Sequence, residues 1–204
     1  MVEIILIRHG VTLWNFQARI QGISDIELAP EGLKQAELLA KNFPFDKVDA
    51  VYSSDLSRAK NTAKFVADKF NLSVQTTAGL REVDFGIWEG KSFSDLEKND
   101  ADTLKIFHTK PDELRLEGGE TFQQAQTRAM NAINEIVRRH ESNGESRVVA
   151  VAHGSINRTI LCSILEIPLK NLWRLNQFNT AVNVMRIDDG SFTVSLINST
   201  AHLF

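Results

Sequence analysis

Ile4-Ile5-Leu6-Ile7-Arg8-His9-Gly10 is an unbroken apolar run that stops abruptly at a basic pair and a glycine. Continuous apolar residues without polar alternation are what a strand buried on both faces requires, which is the situation of a parallel sheet covered by helices. Val48–Tyr52 and Val148–Ala152 read the same way, and the second of these also ends on a histidine and a glycine, His153-Gly154. Leu72–Thr76 reads as a further strand.

Helical patterns lie between these runs. Pro30 suits the first position of a helix carrying Leu33, Ala36, Leu39 and Ala40. Asp55 is placed to cap a helix striped by Ala59, Thr62, Ala63, Val66 and Phe70. Thr121 with Gln124 matches a capping box opening a long helix striped by Ala125, Ala129, Ile133 and Val137. Asn183–Ile187 and Phe192–Ile197, joined at Asp189-Gly190, predict a closing hairpin. Strands separated by helices imply right-handed crossovers. The predicted fold class is therefore α/β, a three-layer sandwich with a mostly parallel sheet, helices on both faces and an antiparallel edge strand. The expected organisation is one domain over residues 1–204, with a smaller inserted, lid-like region at about 90–120, the least regular stretch.

Length and composition narrow the function. A chain of 204 residues is long enough for one substantial core and short for two. The formal net charge of -3 leaves no chain-wide basic field to hold nucleic acid or an anionic membrane, so neither is an expected partner. A single cysteine, Cys162, forbids an intrachain disulfide and fits a reducing, cytoplasmic location. The N-terminus lacks a signal-peptide pattern, and no apolar run reaches membrane-spanning length. An anionic ligand would have to be held by a local cluster of arginines.

Such a cluster is what the strand ends offer. In open α/β sheets, ligands sit beyond the carboxyl ends of the strands. One strand runs into Arg8-His9-Gly10, another into His153-Gly154, and Val48–Tyr52 runs into Ser53-Ser54-Asp55 with Arg58 just behind. If these strands are neighbours, His9, His153, Arg8 and Arg58 meet at one edge, near helix N-termini that favour an anion. Two guanidinium groups grip a phosphate through charge-assisted bonds. A neutral imidazole attacks phosphorus through one ring nitrogen when the other is held as a donor, and neighbouring positive charges keep it neutral. Phosphoryl transfer asks little beyond in-line positioning and neutralisation of oxygen charge. The leaving alkoxide needs a proton, for which Glu82, in Leu80-Arg81-Glu82, is the candidate acid. Taken singly each residue has an ordinary structural reading, and their joint placement at strand ends carries the weight.

With these residues in view, the chain resembles the histidine phosphatase superfamily, in the branch of the cofactor-dependent phosphoglycerate mutases and related phosphatases. The resemblance lies in Arg8-His9-Gly10 with Thr12, Trp14 and Asn15; Gln21-Gly22 with Asp25 and Leu28; Tyr52 to Ala59; Leu80-Arg81-Glu82 with Phe85-Gly86 and Trp88-Glu89-Gly90; Gly118-Gly119-Glu120; and Ala152-His153-Gly154. It implies that His9 is phosphorylated, that Arg8, Arg58 and His153 line the phosphate pocket, and that Glu82 gives and takes the proton. It further implies phosphate donors at Asn15 and the Gly154 backbone, and substrate contacts at Thr12, Gln21 and Gly22. All five core positions are filled, against a non-catalytic phospholigand sensor. The expected reaction is metal-independent hydrolysis of a small phosphomonoester. A mutase-type isomerase is the first alternative. Mutases of the family carry extra arginines beyond the acid loop, whereas Val83–Ser92 offers only Lys91. The Phe85–Gly90 segment resembles the broad-specificity and α-ribazole phosphatases.

Other features are given plainer readings. His108, His140 and His202 share no metal-ligand spacing, so neither a metal nor another cofactor is expected. Cys162 reads as a packing residue, and Trp173 and Phe178 as core or subunit contacts. Trp88, Phe93 and Phe107 fit equally a lid over the pocket or the packing of the insert on the domain. Lys98–Asp102 reads as a solvated turn. The expected partner is a small phosphorylated metabolite, and the oligomeric state, a homodimer included, is left open.

Overall fold

The computed structural model describes residues 1–204. In chain order the elements are β1 (Val2–Arg8), α1 (Leu13–Phe16), α2 (Pro30–Lys41), β2 (Ala50–Ser53), α3 (Ser57–Lys69), β3 (Val74–Thr76), α4 (Phe93–Asn99), α5 (Ala101–Thr109), α6 (Phe122–His140), β4 (Ser146–Ala152), α7 (Gly154–Ile164), β5 (Val182–Asp188) and β6 (Ser191–Ser199). They build one six-stranded sheet in the order β3-β2-β4-β1-β5-β6. The first four are parallel, β5 runs antiparallel to β1, and β6 runs antiparallel to β5 at the edge. The fold is the α/β sandwich expected, with the reversed strand one place in from the edge.

The apolar run that opens the chain is split by the pleat. Ile4 and Leu6 join the core beneath α6 and α7, while Ile5 and Ile7 join the core beneath α2 and α3. In β4, Val148 and Ala150 face the first layer, Val149 and Val151 the second. Burial on both faces gives each large apolar side chain about 1.5–3 kcal/mol of transfer free energy, and explains why no polar residue interrupts the runs Ile4–Ile7 and Val148–Ala152. Register then sets the site. Arg8 pairs with Ala152, so His9 and His153, the next residues of β1 and β4, emerge side by side.

Several local expectations are corrected. Leu33 is exposed, and Gly32 takes the buried place on α2 because a Cβ there would lie 2.1 Å from the Val11 carbonyl oxygen. Asp55 does not cap α3, whose N-cap is Leu56. Its carboxylate is engaged by Arg81 at 2.8 and 2.6 Å, and the free Ser57 amide donates instead to Asp25 Oδ1 at 2.7 Å. The stretch 90–120 is more regular than expected, since it holds α4, opened by a Ser92–Asp95 capping box, and α5. Lys98–Asp102 is the junction between those helices, and Asp100 there accepts the indole N–H of the fully buried Trp88 at 2.7 Å. No helix is long and apolar enough to cross a membrane.

Candidate active site

His9 leaves β1 with its ring orientation already fixed. Nδ1 lies 2.6 Å from the Gly10 carbonyl oxygen, which can only accept, so Nδ1 carries the hydrogen and Nε2 keeps its lone pair. Gly10 permits this tight corner because a Cβ on it would sit 2.6 Å from the Gly32 oxygen. The main chain of His9 is tied down by the amides of Asn179 and Thr180, both donating to its carbonyl. The His153 ring lies against that of His9, with centroids 5.1 Å apart. Burial, then the charges of Arg58 and Arg8, holds His9 well below the ordinary histidine value. Burial followed by Arg58, His9, Arg8 and Arg128 does the same for His153. Both imidazoles are neutral at pH 7.

The arginines are held by backbone carbonyls, which leaves their charge uncompensated. Arg8 Nη1 donates to Gln177 O at 2.6 Å. The Gln177 side chain is itself locked in a buried amide pair with Asn183. Arg58, on the first turn of α3 and with no exposed surface, donates to Ser24 O and Gly22 O, each at 2.7 Å. Burial lowers both guanidinium groups to about 10, which leaves them protonated at neutral pH. Arg8 Nε, Arg58 Nε and both ring nitrogens of His153 are buried without a partner in the protein. Buried polar atoms of this kind are costly unless a partner meets them, and a tetrahedral oxyanion supplies acceptors for both Nε–H groups and for the one N–H of a neutral His153.

Glu82 is the one carboxylate in the wall of the cavity onto which these groups open. It caps α7 from outside: Oε1 accepts from Val83 N at 3.0 Å and Ile156 N at 2.9 Å, and Oε2 from Ser155 N at 3.0 Å. Oε1 therefore has both lone pairs engaged. Oε2 retains one, and a proton carried by Glu82 resides there. The loop bearing Glu82 is clamped by Arg128, which reaches from α6 to the carbonyls of Ala78, Gly79, Arg81 and Glu82 and pairs with Glu120.

The cavity measures about 330 Å³. Of the residues singled out in the sequence, Arg8, His9, Asn15, Gln21, Gly22, Arg58, Glu82 and Gly154 line it. His153 is not among the lining residues, but its ring lies against that of His9 and both its nitrogens lack a partner in the protein. Thr12 is fully buried and forms the capping box of α1 with Asn15, so it shapes the helix rather than the wall. Phe93, Phe107, His108 and Trp173 do line the cavity, whereas Trp88 belongs to the core. Trp173 is thus a wall residue, and Phe178 is exposed rather than core. Arg19 and Arg158 also line the cavity and were not anticipated. Arg158 had a legible signal, since it lies four residues after Gly154 on the same face of α7. Arg19 had none, because its position depends on the loop that brings its Nη1 to Gly90 O. No three His, Cys, Asp or Glu side chains gather into a possible metal site.

Comparison with known proteins places this geometry. A metal-independent phosphoserine phosphatase of Arabidopsis thaliana is 34% identical, over 100% of this chain and 84% of its own length. A probable phosphoglycerate mutase, GpmB, of Yersinia pestis is 30% identical, over 100% of this chain and 95% of its own. The solved structure of YhfR from Bacillus stearothermophilus superposes with a TM-score of 0.94 at 31% identity, covering 100% of both chains. The model of the histidine phosphatase superfamily (branch 1) matches residues 4–200, and the chain belongs to that family.

Proposed function

We propose that the protein hydrolyses small phosphomonoesters by way of a phosphohistidine on His9. The observation that carries this reading is the His9 ring, its Nδ1–H held by Gly10 O and its Nε2 free beside Arg8 and Arg58, in one cavity with Glu82. Nε2 attacks phosphorus, the P–O bond to the alcohol breaks, and the leaving oxygen takes the proton from Glu82 Oε2. The guanidinium groups of Arg8 and Arg58 neutralise the charge on the equatorial oxygens. His153, neutral and against His9, donates one ring N–H to the transferring group. Water then gives a proton to the Glu82 carboxylate and attacks phosphorus, the P–N bond breaks, and inorganic phosphate leaves. Asn15 and the Gly154 backbone are further phosphate donors, and Gln21 and Gly22 contact the substrate. The substrate is a small phosphorylated metabolite, and a chain whose one cysteine is buried fits the cytoplasm.

Incubation with a 32P-labelled phosphomonoester, followed by alkaline denaturation and peptide mapping, should place label on His9 and none in His9→Ala. Substantial turnover by intact His9→Ala would identify another nucleophile. One relative is a probable mutase, so 3-phosphoglycerate primed with 2,3-bisphosphoglycerate belongs in the same assay. Formation of 2-phosphoglycerate outrunning phosphate release would make the enzyme an isomerase. α-Ribazole phosphate, suggested by the Phe85–Gly90 segment, completes the panel.

A further inference from the structure

With the phosphate seated at His9 as proposed above, we infer that Arg19 and Arg158 form an anion subsite for the alcohol half of the substrate, so that the cavity favours a hydroxy acid and rejects an ammonium group. Four guanidinium groups, those of Arg8, Arg19, Arg58 and Arg158, line the cavity against the single carboxylate of Glu82. With Glu82 protonated for its role as acid, a phosphate dianion leaves two positive charges over, and a second anion on the substrate offsets part of that excess. Donors are available for that anion. Arg19 has Nε on Gln17 Oε1 and Nη1 on Gly90 O, and Arg158 has Nε on Leu175 O and Nη1 on Gly154 O. In both, Nη2 makes no hydrogen bond within the protein.

An ammonium group finds no counterion in the same place. Glu82, the one carboxyl in the wall, accepts from three backbone amides, and its remaining lone pair holds the proton destined for the leaving oxygen. The carboxylates whose charge reaches Arg58 from behind, Asp25 and Glu89, do not line the cavity and are bound to the amides of Ser57, Ile23 and Ser24. The aromatic wall of Trp173, a kind of surface that attracts cations in other sites, already meets one of the protein's own, since Arg158 lies 5.4 Å from its ring centroid. Among the lining side chains, the buried Oε1 of Gln21 is a neutral acceptor without a partner in the protein. A hydroxyl satisfies it without adding charge, whereas an ammonium brought beside four guanidinium groups is repelled and stripped of water.

O-Phosphoserine and 3-phosphoglycerate share one skeleton, with ammonium in the first where the second has hydroxyl. Phosphate release is measured for both enantiomers of each, with p-nitrophenyl phosphate as a probe of the phosphate half alone. The better 3-phosphoglycerate enantiomer should exceed the better phosphoserine enantiomer at least tenfold in kcat/KM. Arg19→Ala should lower the ratio of 3-phosphoglycerate to p-nitrophenyl phosphate activity about tenfold. Phosphoserine turned over as fast as 3-phosphoglycerate, with p-nitrophenyl phosphate also hydrolysed, overturns the subsite and leaves the phosphatase reading intact. A ratio untouched by Arg19→Ala removes Arg19 from it. Failure to hydrolyse any of the three, with no label on His9, sinks the phosphatase reading and this inference together.

Discussion

Replacing Glu82 with glutamine separates the two tasks this side chain performs, and the structure gives a size for each. Glu82 Oε1 accepts from Val83 N and Ile156 N, and a glutamine oxygen can keep both bonds. Oε2 accepts from Ser155 N in a buried position, and there glutamine presents an NH2 group, donor facing donor. One charge-assisted bond is lost and one buried amide left unpaired, which together cost about 2–3 kcal/mol. For a domain of this length, that is a fall in Tm of roughly 5–10 °C. Catalytically the variant has no proton for the leaving group. General acid catalysis contributes about 10²–10⁴-fold where the leaving group is poor and little where it departs as a stable phenolate. Glu82→Gln should therefore lose at least a hundredfold in kcat on an alkyl phosphate and far less on p-nitrophenyl phosphate. Calorimetry and steady-state rates on both substrates read the two effects on one sample. Equal losses on alkyl and aryl esters would refute the acid role, and an unchanged Tm would refute the capping argument.

Two other perturbations test the supports of the site. Gly22 has φ +54°, and a Cβ there would lie 1.8 Å from Glu89 Oε1, the carboxylate that pins the Ile23 and Ser24 amides; Gly22→Ala should shift the carbonyls holding Arg58 and lower kcat/KM at least tenfold on every substrate, and wild-type rates would show that Arg58 does not depend on this loop. His9, His153, His140 and His202 are all held below the ordinary histidine value by burial, so below about pH 6.5 the unfolded chain binds protons that the folded one does not, and stability should fall as pH drops toward 5. Thermal melts in phosphate-free buffer should show this decline and a shallower one for His9→Gln, and a flat wild-type profile would contradict the assigned neutrality.

Much of this protein was legible because burial and covalent order leave marks along the chain. Ile4–Ile7 and Val148–Ala152 read as two-faced strands since no solvated face exists to admit a polar residue. The Thr121–Gln124 box marked the start of α6 because capping is a local affair of a few residues. Asp55 misled for a related reason: a good cap in sequence is overruled when a distant arginine, Arg81, offers its carboxylate a better partner. The stretch from 90 to 120 looked irregular because its short helices, α4 and α5, bury only a few residues each and show too little periodicity to declare themselves.

The sequence by itself determined the sheet, its crossovers and the groups at the strand ends, because the residues that bury a strand and those that follow it are covalent neighbours. Only the tertiary structure decided which lone pair of Glu82 stays open, that Arg128 grips the loop bearing it, and that Arg19 and Arg158 reach the same cavity from opposite ends of the chain. Those facts depend on hydrogen bonds between groups as many as 74 residues apart, whose directions are fixed by packing and leave no periodic trace in the chain.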